Sequence, residues 1–134
     1  MPAKAGIQAF AAPLLDASLR WHDNSQGYLF IMYKIYFYAP ADHAEAVKKA
    51  MFAAGAGKIG NYGCCAWQVM GEGQFMPLPG SNAFIGSMEN LEKIAEYKVE
   101  MVCDASHIHA AITALKKAHP YETPAYQVIK IEDF

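Results

Sequence analysis

His119 and Glu122 are the polar pair in this chain with most reason to act together. They sit in "AHPYETPAYQVIKI", residues 118 to 131, where Pro120 and Pro124 stiffen the backbone and can aim both side chains at one point. A carboxylate beside an imidazole raises its proton affinity or helps it ligate a metal. With Cys64 or Cys65 supplied by another subunit, His119 and Glu122 would make a set for a divalent metal or copper. The same residues also allow a purely structural reading, in which His119 caps a helix C-terminus, Tyr121 packs at a subunit boundary and Glu122 accepts hydrogen bonds from a neighbouring chain.

A second polar stretch is "GAGKIGNYG", residues 55 to 63, with Lys58, Asn61 and Tyr62 among glycines. Its lysine is followed by Ile59 instead of Ser or Thr, and the stretch follows a helical pattern instead of opening one, so it lacks both the phosphate-loop spacing and a helix N-terminus for an anion. Turn geometry is the simpler reading. His107 and His109, two apart on a helix, point to different faces, unlike a zinc-binding i, i+4 pair. His43 stands in the first turn of another helix. Cys64, Cys65 and Cys103 show no C-x-x-C spacing, which favours a reducing cytoplasm, and the first two, if on a strand, point to opposite faces. No Ser-His-Asp order, paired-carboxylate motif or zinc signature defines a mechanism, so the sequence points away from an enzyme and requires no cofactor, with a divalent metal as the open alternative.

Composition sets the frame for these groups. The 134 residues are 54% hydrophobic and 18% charged, enough for one domain with a real core. A net charge of −2 gives no case for nucleic acid, and the single arginine, Arg20, lies outside the segment with domain-like patterning. Residues 1–31 are expected to be an N-terminal extension, with the domain running from Met32 to Phe134. The extension makes a poor signal peptide and contains no membrane-length apolar run.

The positioning elements follow from periodicity. Residues 33 to 38 are β-branched or aromatic and end at Pro40, a first strand. "ADHAEAVKKAMFAAGAG" sets Ala44, Val47, Met51 and Ala54 at helical spacing, with Asp42 as a cap and Gly55 and Gly57 as the stop. "CCAWQVM" and "GQFMPL" read as two short strands around a Gly71-Glu72-Gly73 hairpin turn. A further strand covers 94 to 103. "ASHIHAAITALKKAH" is a helix with Ile108, Ala111, Ile112, Leu115 and Ala118 on one stripe and Asp104 or Ser106 as a cap. Pro120 makes His119 its exit residue, and "AYQVIKI" is the last strand. This β-α-β-β-(β)-α-β order predicts an α+β, ferredoxin-like antiparallel sheet with two helices on one face.

"GAGKIGNYGCCAWQVMGEGQFMPLPGSNAFIG", "AEYKVE" and "AHPYETPAYQV" together resemble the PII/CutA-like domain inserted into bacterial Nif-three-like proteins, and the His-Pro-Tyr-Glu element alone resembles the end of CutA proteins. The resemblance runs from Met32 to the C-terminus. Ala83, Lys98, Thr123 and Gln127 depart from the residues common in that family. The flanking halves that hold the family's two metals have no counterpart here, so the resemblance implies the fold and not the dinuclear hydrolase centre. It further implies a homotrimer and small-ligand clefts near loops such as the one carrying Lys58. The predicted function is a non-enzymatic oligomeric module for a small ligand or protein partner, with a divalent-metal or copper-binding CutA-like protein as the first alternative and a hydrolase of the dinuclear metal class as the second. Trimer closure would also bury an otherwise open sheet face with Tyr36, Tyr38, Trp67 and Phe75.

Overall fold

The first strand, β1 (Met32–Pro40), alternates as its residues dictate, and that alternation organises the domain. Ile35, Phe37 and Ala39 are fully buried on one face, while Lys34, Tyr36 and Tyr38 lie half-buried on the other. A computed structural model of the chain describes residues 31 to 134; the expectations for residues 1 to 30, Arg20 among them, fall outside the described residues. After β1 come α1 (Ala44–Ala53), β2 (Trp67–Phe75), β3 (Glu92–Asp104), α2 (Ile108–Ala118) and β4 (Tyr126–Lys130). The four strands form one sheet in the order β2-β3-β1-β4. β1 is central, antiparallel to β3 from Met32↔Asp104 to Pro40↔Glu96 and to β4 from Tyr33↔Lys130 to Phe37↔Tyr126.

Both helices cover the Ile35–Phe37–Ala39 face. α1 buries Ala44, Val47 and Met51, and α2 buries Ala111 and Leu115, against Val99, Met101 and Cys103 of β3. Each large apolar side chain so buried contributes about 1.5–3 kcal/mol relative to exposure. The burial also pushes the Cys103 thiol up to about 11, with the Asp104 charge adding to the effect, so it behaves as a core hydrophobe. A second cluster, Met32, Ile59, Cys65 and Val102 with Ile131 against it, closes the opposite face at the start of β1. This is the split β-α-β arrangement of a ferredoxin-like fold.

Three local expectations need correction. Gly71-Glu72-Gly73 is not a hairpin turn: β2 runs straight through it, and every residue from Trp67↔Glu100 to Phe75↔Glu92 is paired with β3. Neither glycine takes the positive φ that tight hairpin turns demand, and the connection is made instead by residues 76–91. Cys64 and Cys65 precede β2 instead of lying on a strand; Cys64 is exposed with φ 55°, and Cys65 is buried.

The expected helix caps also differ. Asp42 Oδ1 accepts from His43 Nδ1 at 3.0 Å, and His43 is itself the N-cap of α1. His107 is the N-cap of α2, and Asp104 Oδ1 receives the His107 N–H at 3.0 Å in the turn ahead of it. The glycine stop after α1 is present: Gly55 has φ 112°, and a Cβ there would also strike the His107 ring.

Candidate functional site

Two backbone partners fix the chemistry of His119. The helix ends where Pro120 forbids continuation, and His119 turns to extended backbone (φ −72°, ψ 137°) with its side chain 5% exposed. Its Nε2 lies 2.6 Å from the Tyr38 carbonyl oxygen, and the Tyr121 N–H donates to its Nδ1 at 3.1 Å. A carbonyl can only accept and an amide N–H can only donate, so the ring is neutral with its proton on Nε2. Burial lowers its proton affinity, against the opposing pull of the Tyr38 carbonyl and the Glu96 charge.

Beyond His119 the chain enters the open face of the sheet. The Tyr121 hydroxyl donates to Glu96 Oε2 at 3.0 Å, and the ring packs on His119 with centroids 4.8 Å apart. Burial, then the Glu96 bond and charge, push the Tyr121 phenol far above its ordinary value, so it stays protonated. The Glu96 carboxylate lies over Gly73, where a Cβ would land on Oε1; β2 is glycine here because the carboxylate occupies that space. One step along the same face, Gly71 has nothing within 4 Å of where a Cβ would be. Glu122 is exposed, and its Oε1 accepts the Asn82 N–H at 3.0 Å, tying the corner to the 76–91 connection.

Together these segments enclose a cleft of about 850 Å³. Its floor is β2 and β3 from Val69, Gly71 and Phe75 to Glu96; its walls are the connection, with Leu78, Phe84 and Ile85, and the corner, with Tyr121 and Glu122. Phe75 and Phe84 both tilt toward Tyr121, with ring centroids 6.1 and 6.3 Å away. The volume and the largely apolar lining with a few polar groups match small-molecule sites. Lys98 also borders the cleft, but its ammonium lies 4.7 Å over the Tyr36 ring and 4.0 Å from Glu100.

The sequence-predicted residues divide between two ends of the domain. Tyr121 and Glu122 line the cleft, and His119 supports it from behind. Lys58, Asn61 and Tyr62 are exposed in the α1–β2 connection, where Ile59 and Tyr62 exchange backbone hydrogen bonds of 2.9 Å. That connection is anchored by Gly57 N–H on Val102 O and packs Ile59 and Cys65 near Met32. Met32 and Tyr38 are six residues apart on one strand, about 20 Å, so a single chain does not bring Cys64 or Cys65 to His119 and Glu122. Among the described residues no group of three His, Cys, Asp or Glu is placed to hold a metal ion. Glu96, Gly73 and Phe84 line the cleft and Asn82 ties its wall to Glu122; all four lie inside the stretches that carry the family resemblance, which assigns them no site role, and the Gly-x-Gly in β2 was the available signal for the first two.

No protein-family model matches the chain. A Bacillus cereus protein related to NIF3 superposes with a TM-score of 0.67 at 38% identity, covering 77% of this chain and 26% of that one. The periplasmic divalent cation tolerance protein CutA of Archaeoglobus fulgidus covers 77% of this chain and 86% of its own at TM-score 0.56 and 19% identity, and GlnK of Bacillus subtilis matches at TM-score 0.51 and 12% identity. These last two share the fold alone. The domain therefore has a ferredoxin-like, PII/CutA-like fold. By sequence the chain is homologous to the Nif3-like proteins: a GTP cyclohydrolase 1 type 2 homolog of Mycobacterium leprae is 45% identical over 94 residues, and one of Bacillus subtilis 41% over 99. The chain spans about a quarter of the length of these curated relatives.

Proposed function

We propose that the chain works as a non-enzymatic, homo-oligomeric PII/CutA-like module, a cyclic trimer, that binds a small ligand or a protein partner. The observation that carries this reading is the sheet face opposite the helices. Trp67, Val69 and Ile129 are 44%, 44% and 50% exposed there, beside half-buried Tyr36 and Tyr38. Among the described residues β2 and β4 are the edge strands of the sheet, and outer edges of that kind favour pairing. Closing three sheets around an axis covers the Tyr36–Trp67–Ile129 end of that face and pairs those edges, while the cleft lies toward the Phe75 end. Likeness to GlnK and CutA supports the fold on which such closure depends. Light scattering at micromolar concentration tests it: three times 14.7 kDa is expected, and a monomer overturns it.

The relatives' name refers to GTP cyclohydrolase, but the chain spans too little of them to inherit an activity by likeness. Its cleft supplies a phenol held protonated and a carboxylate already engaged by it, a binding arrangement more than an acid–base pair. A divalent-metal role, suggested by the likeness to CutA, would require His119 to give up the Tyr38 carbonyl or the Tyr121 N–H. Metal titration of the reduced protein is accordingly expected to show no stoichiometric binding through His119. Free thiols at Cys64, Cys65 and Cys103 fit a reducing compartment, the cytoplasm. No helix among the described residues is long and apolar enough to cross a membrane.

A further inference from the structure

The geometry points to an organic cation, an ammonium group on an apolar body, as the class of small ligand that fills the Tyr121 cleft. This inference rests on the small-ligand part of the module reading and sharpens it. Three aromatic rings gather on the cleft wall and floor: Phe75 and Phe84 lie tilted against Tyr121, with ring centroids 6.1 and 6.3 Å from it, and exposed aromatic faces attract cations. Three carboxylates border the same space, Glu72 and, on its floor and wall, Glu96 and Glu122; the last two are placed by hydrogen bonds. Each uses one oxygen for a hydrogen bond inside the chain, Glu96 Oε2 with Tyr121 and Glu122 Oε1 with Asn82, and each has a second oxygen to offer. The Lys98 cation on the wall is set against Glu100 and the Tyr36 ring, so the cleft carboxylates are left for a ligand. Among the described residues an anion would meet three carboxylates and no arginine, so phosphate-bearing ligands are disfavoured here. Gly71 leaves the floor open at the point where a ligand would rest.

The probe is benzyltrimethylammonium, with phenylacetate as a ring of the same size and opposite charge, titrated into the full chain and followed by amide and aromatic NMR shifts. The cation should saturate with shifts at Phe75, Phe84 and Tyr121 and bind about tenfold or more tightly than phenylacetate. Glu96→Gln and Glu122→Gln should each weaken it, and added salt should do the same. Gly71→Leu, which projects into open space at ordinary φ, should abolish binding while thermal unfolding stays cooperative. Equal binding of the two probes, tighter binding of phenylacetate, or cation binding that survives Gly71→Leu overturns the inference. Absence of any cation binding in a protein that is still a trimer by light scattering overturns it and leaves the assembly reading standing. Cation binding by a monomer upholds it and removes the trimer.

Discussion

The His119 ring bonds to the carbonyl of Tyr38, 81 residues earlier in the chain, at 2.6 Å, and in doing so ties the exit of α2 to the end of the central strand. The Tyr121 N–H on its other nitrogen carries the tie into the cleft. Replacing His119 with Ala would take the ring's hydrogen bonds from the Tyr38 carbonyl and the Tyr121 N–H, both in part-buried contacts, and open a void. We expect a loss of about 2–4 kcal/mol by urea denaturation. A loss below about 0.5 kcal/mol would mean that the corner holds without the ring.

The same ring predicts a pH dependence. Its folded proton affinity is depressed below the ordinary imidazole value of 6.5, so the unfolded chain binds the proton more readily. The stability contributed by neutral His119 is therefore complete above 6.5 and is lost as the pH falls through that value toward the depressed folded one. Thermal unfolding between pH 7.5 and 5 should show the decline, and His119→Gln should flatten it. A wild-type profile that does not change below 6.5 would contradict the assigned tautomer.

Gly71 and Gly73 stand two apart on the same face of β2 yet should respond oppositely to a methyl group. At Gly73 the new Cβ meets the Glu96 carboxylate and displaces it from Tyr121; at Gly71 it meets nothing within 4 Å. Gly73→Ala should cost about 1 kcal/mol, whereas Gly71→Ala should fall within about 0.5 kcal/mol of the parent protein. Equal effects in denaturant would show that the Glu96–Tyr121 bond adds no stability.

These glycines also mark the limit of what the sequence discloses. The period-2 burial of β1, the stripes of both helices and the proline-forced exit at His119 are local patterns, and each reads directly from residue types. Gly71-Glu72-Gly73 has the local look of a turn, and only the long-range presence of Glu96 on β3 explains glycine in a continuous strand. Glu96 reads in sequence as one polar residue in an alternating strand, inside the "AEYKVE" stretch that carries the family resemblance but gives the residue no role. Phe84 and Asn82 lie in the 76–91 connection, where no periodicity exists to read, and contacts with distant Tyr121 and Glu122 bring them to the cleft.

Glu122 offers the last test, because its bond joins the corner to that connection within one chain while its exposure leaves the carboxylate open to a neighbouring subunit. Glu122→Lys removes the acceptor of the Asn82 N–H and sets a cation in its place. Amide exchange at Asn82 should accelerate, with global stability changing by no more than about 1 kcal/mol, since exposed charge-assisted contacts contribute little. If the carboxylate also pairs across a subunit boundary, as a trimer closed near the corner implies, the substituted protein should dissociate at a higher concentration than the parent in light-scattering dilution series. Faster Asn82 exchange with unaltered dissociation would confine Glu122 to holding the cleft wall, and unaltered Asn82 exchange would show that the wall is held by the packing of Phe84 on Tyr121 instead.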